Sequence, residues 1–61
     1  MAYVGMAKSD LYELFSGFQE KGYYKKEDNQ EWITFAASNP REPADTATFY
    51  LLNGKVIEWN K

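Results

Sequence analysis

The chain is 61 residues long, 18% aromatic, and carries nine acidic against seven basic side chains, for a net charge of −2. That length allows a single domain, 1–61, which buries only about 60% of its unfolded surface. Cysteine and histidine are both absent, which excludes disulfides and removes the two commonest ligands of structural zinc. A near-neutral charge offers no broad attraction for nucleic acid or an anionic membrane.

Residues 1–8, "MAYVGMAK", contain neither a basic leader followed by an apolar run nor the beginning of a membrane span of about 20 apolar residues. A soluble, cytoplasmic protein is expected, with this segment partly frayed and Tyr3 and Val4 able to pair as a short edge strand.

"KSDLYELFSGFQEKG" predicts an amphipathic helix. Ser9 is placed to cap it, and Asp10 and Glu13 favour its positive end. Leu11, Leu14, Phe15 and Phe18 recur at i, i+3, i+4 and i+7, a stripe that core packing accounts for. Lys21 falls in the last turn and Gly22 is placed to end the helix. Gly17 inside it costs roughly 1 kcal/mol relative to alanine.

"GYYKKEDNQEWITFAAS" predicts a hairpin, with strands over Tyr23 to Lys26 and Glu31 to Ala37 and "EDNQ" as a four-residue loop. "NPREPAD" holds Pro40 and Pro43 and reads as a loop. "TATFYLL" and "KVIEWN" then flank Asn53-Gly54, the preferred pair for a type I′ hairpin because both central residues need positive φ. The expected fold is α+β: one N-terminal helix packed on one face of a three- to four-stranded antiparallel meander.

A regular second hairpin sets Tyr50 opposite Ile57 and Thr48 opposite Trp59, and opposed residues share a face. Ile33, Phe35, Phe49, Leu51 and Val56 then form the buried face under the helix, with Tyr24 beside Ile33. Tyr23, Lys25, Trp32, Thr34, Thr48, Tyr50, Lys55, Ile57 and Trp59 face outward. Glu58 falls on the buried side in this register, and a slip of one residue would exchange the faces.

Seven of the outward residues form the candidate interaction surface: Tyr23, Lys25, Trp32, Tyr50, Lys55, Ile57 and Trp59. Aromatic side chains offer a large apolar body with a polar handle and are enriched where proteins meet. They are also good strand formers, so the same pattern arises from sheet propensity alone.

Catalytic chemistry finds little support. The usual general base and thiol nucleophile are missing, Ser9, Ser16 and Ser38 have no activating partner, and Glu31 with Glu58 is the nearest thing to a carboxylate pair. The glycines form no phosphate loop, and "DNQE" lacks the alternating ligands of a calcium loop. No metal or cofactor is expected. The expectation is a non-catalytic protein-interaction module whose aromatic face or edge strand meets a protein partner, either a second copy of itself in a homodimer or another protein. The alternative, binding of single-stranded nucleic acid on aromatics and lysines, requires the lysines to gather on the aromatic face with the acids behind it.

Overall fold

The computed structural model describes residues 1–37 and 46–60. One short helix, α1 (Lys8–Leu14), is followed by four strands: β1 (Gln19–Glu27), β2 (Gln30–Ala36), β3 (Thr46–Leu52) and β4 (Lys55–Asn60). They form one antiparallel sheet in the order β1-β2-β3-β4, a meander. The predicted loop "NPREPAD", and Ser38 before it, lie outside the described residues.

The helix is half the predicted length. Ala7, not Ser9, stands at its N-cap, and no side chain caps it. It ends at Phe15, where the chain turns through residues 15–17. Gln19, Glu20 and Lys21, good helix formers by propensity, enter β1 instead, with Gln19 opposite Ala36 and Glu20 opposite Phe35. Sheet pairing thus overrides local preference, and Gly22 sits inside a strand rather than ending a helix. Of the apolar stripe, Leu11 is fully buried and Phe15 half-buried, while Leu14 and Phe18 are exposed.

Asn53 and Gly54 adopt φ of 55° and 75°, as the type I′ hairpin requires. The first hairpin is tighter than predicted: Glu27 pairs with Gln30, leaving only Asp28 and Asn29 as the turn. Irregularities between Glu20 and Gly22 and between Lys25 and Glu27 interrupt its ladder. The two turns are joined where the Asn53 amide donates to the Asn29 carbonyl at 2.8 Å.

The buried set is Met6, Leu11, Ile33, Phe35, Ala36, Phe49, Leu51 and Val56. Ile33 and Phe35 of β2 alternate with Trp32 and Thr34, and Phe49 and Leu51 of β3 with Thr48 and Tyr50, so the sheet has one dry face and one outer face. Phe15 stacks on Phe35 at 4.6 Å between centroids, and the Tyr12 ring meets the same phenylalanine edge-on at 5.5 Å.

Residues 5–8 run along the free edge of β4. The Gly5 amide donates to the Val56 carbonyl at 2.7 Å, the Val56 amide to the Met6 carbonyl at 2.9 Å, and the Lys8 amide to the Gly54 carbonyl at 2.9 Å. Tyr3 and Val4 therefore supply no edge strand. They lie in or beside a tight turn closed by the Met6 amide on the Tyr3 carbonyl, with Gly5 at φ 94°.

Candidate functional site: the outer face of the sheet

The register sorts the outer face into three cross-sheet rows. Tyr24 pairs with Trp32, Trp32 with Tyr50, and Tyr50 with Glu58. One level along, Gly22, Thr34, Thr48 and Asn60 pair in the same succession. On the other side, Glu27, Gln30, Leu52 and Lys55 form the third row.

The first row is an aromatic ladder. Trp32 stacks on Tyr50 with centroids 4.5 Å apart and planes 16° from parallel, and Tyr24 leans on the other side of Trp32 at 5.6 Å. Such pairs contribute about 0.5–1.5 kcal/mol each beyond the area they bury. In the neighbouring row the Thr34 and Thr48 hydroxyls are hydrogen-bonded at 2.9 Å. A shallow cavity of about 280 Å³ lies where β3 meets β4, bordered by Trp32, Thr48, Tyr50, Glu58, Trp59 and Asn60.

Of the predicted surface residues, Trp32, Tyr50 and Lys55 stand together on this face, with Thr34 and Thr48. Trp59 does not. It pairs with Phe49 on the dry side, the rings 5.9 Å apart, and Glu58 takes the outward place beside Tyr50. The cause is a bulge: Leu51 pairs with Val56 and Tyr50 with Glu58, so Ile57 has no opposite number and every later residue of β4 changes face. Ile57 itself is exposed but outside the rows. Trp59 nevertheless borders both the outer cavity and a second one, of about 410 Å³, on the dry side with Leu14, Phe15, Phe18 and Phe49.

Tyr23 and Lys25 are likewise displaced. Tyr23 pairs with Ile33 and Lys25 with Glu31, which puts both on the side of the core, and Tyr24 takes the outer position predicted for Tyr23. The irregularity between Lys25 and Glu27, which leaves Lys26 without an opposite number, exchanged the two tyrosines. Tyr24, Glu58 and Asn60 were the outer residues that regular pairing missed; Glu58 in an otherwise apolar strand position was the one sequence signal of the bulge.

Tyr23 instead belongs to a polar cluster at the rim of the core. The Glu31 carboxylate, 7% exposed, accepts from Lys8 Nζ at 2.6 Å and from the Tyr23 hydroxyl at 2.8 Å. Lys8 also lies over the Tyr23 ring, 5.4 Å from its centroid. The bonds from Lys8 and then Tyr23 hold Glu31 below the usual carboxylate range, and the same contacts raise Lys8 and Tyr23 above theirs. Tyr12 donates to Glu20 at 2.7 Å; burial first, then that bond, pushes its hydroxyl up to about 12. Glu31 and Glu58 stand on opposite faces and form no carboxylate pair.

Among the described residues no helix is long and apolar enough to cross a membrane, and no three potential ligands gather as a metal site. Comparison with family models, curated protein sequences and solved structures finds no match.

Proposed function

We propose that this protein is a non-catalytic interaction module that associates with a second copy of itself through the outer face of the sheet. The observation that carries the reading is the ladder of Tyr24, Trp32 and Tyr50 on the side of the sheet away from the core. On this reading α1 serves as cover for the opposite face, which leaves the aromatic side free for contact. The same reading takes the cytoplasm as its setting, with which the lack of cysteine is compatible.

The face is favoured over an edge strand. Residues 5–8 already occupy part of the β4 edge. Strand β1 carries charge at five of its nine positions and two register irregularities, features that discourage strand addition. Nucleic acid is disfavoured because Lys25 lies on the core side, which leaves Lys55 as the one lysine in the three outer rows against Glu27 and Glu58, a balance that does not favour phosphate.

Light scattering over a dilution series at two salt concentrations tests the reading. A dimer that persists at moderate salt and is lost in Trp32→Ala/Tyr50→Ala, with the circular dichroism spectrum unchanged, is the expected result. A monomer at all concentrations overturns it.

A further inference from the structure

The outer face carries a pattern that is complementary to itself, and from it we infer how the second copy sits. This inference rests on the self-association proposed above. Two facing sheets related by a two-fold axis must have that axis in the plane between them, and where it runs across the strands each residue meets the mirrored level of the same strand in the other copy. The aromatic row Tyr24–Trp32–Tyr50–Glu58 lies next to the row Glu27–Gln30–Leu52–Lys55. An axis running across the strands between these rows, at the level of Glu31, Leu51 and Val56, lays one row on the other copy's neighbouring row.

The four resulting oppositions are all compatible. Glu58 meets the second copy's Lys55, Tyr50 meets Leu52, Trp32 meets Gln30 and Tyr24 meets Glu27. No like charges oppose one another, and the symmetry makes each contact twice. A regular β4 would put Lys55 and Glu58 on opposite faces, since they are three positions apart; the bulge at Ile57 brings both charges to the outer side. The irregularity between Lys25 and Glu27 does the same for Tyr24 and Glu27. Both bulges thus act on the same two rows. Neither Lys55 nor Glu58 has an ion pair among the described residues, and both are exposed.

Area sets the strength. With the axis at the level of Glu31 the two sheets share the levels of Gln30 to Trp32, so four strands about 4.8 Å apart and three residues at about 3.3 Å each make a common face of roughly 200 Å². A standard interface buries about 800 Å² per partner, so the dimer is a weak, concentration-dependent one. Aligned sheets cross at about 30°, a displacement at the sheet edge that the long side chains of Lys55 and Glu58 span.

The test is charge reversal read by sedimentation equilibrium on the full chain. Lys55→Glu and Glu58→Lys should each weaken the dimer by roughly tenfold or more, because like charges then oppose twice. A one-to-one mixture of the two variants should restore it as a heterodimer, and so should the double variant K55E/E58K. Unchanged melting curves, taken at concentrations low enough that every chain is monomeric, would show that the reversals act on association and not on the fold. Single variants that dimerise as the wild type does, or a mixture that does not recover, overturn this arrangement while leaving self-association standing. A wild type that is monomeric throughout overturns both.

Discussion

Lys8, the first residue of the helix, donates to Glu31 in the second strand at 2.6 Å. The bond fastens the segment running along the β4 edge to the sheet. Because Glu31 is 7% exposed, removing Lys8 leaves a carboxylate held by Tyr23 alone. Lys8→Met should destabilise the fold more than Glu31→Gln does, since the amide keeps a hydrogen-bonding group and the ammonium it leaves unpaired is 37% exposed and reached by water. Urea midpoints of the two variants decide this; equal losses would contradict it.

The same pair sets the response to pH. Glu31 titrates lower in the folded than in the unfolded chain, so its contribution is present above the ordinary carboxylate range and is lost as pH falls through its depressed folded value. Lys8 and Tyr12 titrate higher when folded, Tyr12 at about 12. Their contributions are present below about pH 10 and are lost as pH rises toward the folded values. Stability should therefore fall at both extremes, and Glu31→Gln should flatten the acid limb and remove the Lys8 share of the alkaline one, leaving that of Tyr12, which rests on burial and Glu20. Thermal melts from pH 3 to 11 would reveal an unaltered acid limb if the assignment were wrong.

Trp59 and Phe49 face each other on the dry side. Phe49→Ala, at a position 2% exposed, should cost about 3–5 kcal/mol, enough to unfold much of so small a domain. Trp59→Ala should also destabilise, by less, because its ring is only half-buried. Denaturant titration of both variants checks the order, and a Trp59→Ala variant as stable as the wild type would mean the ring does not pack there.

Ile57 is the unpaired residue of the β4 bulge. Deleting it leaves Val56 opposite Leu51 and Glu58 opposite Tyr50 in an unbroken ladder, so the deletion should fold and keep Trp59 against Phe49. Deleting Tyr50 from the opposite strand instead widens the mismatch, leaving both Ile57 and Glu58 without a partner on β3, and should cost stability. Comparison of the two melting temperatures tests the register directly.

How much of this was legible in the sequence varies with the interaction involved. Asn53-Gly54 determined its hairpin through φ alone, and the bounds of β3 and β4 agree with the reading from residues. Ile33, Phe35, Phe49, Leu51 and Val56 alternate cleanly and are all buried. Where doublets occur, alternation carries no information: Tyr23-Tyr24 and Val56-Ile57 each admit two registers, and hydrogen bonding across the sheet chose the one with a bulge. The helix was over-extended for a related reason. The spacing of Leu11, Leu14, Phe15 and Phe18 fits a longer helix, but Gln19 to Lys21 gain a partner strand that no local pattern reveals.

Ala7 forms a bridge with Lys55, so the beginning of the chain is fastened to its last strand. Contacts between residues this distant in sequence must wait for a costly loop closure. During synthesis the edge of β4 and the strip that covers it cannot meet until the final strand has left the ribosome. The helix and the first hairpin, whose contacts are local, are free to form earlier. Residues 5–8 can cover the β4 edge only once that strand is in place.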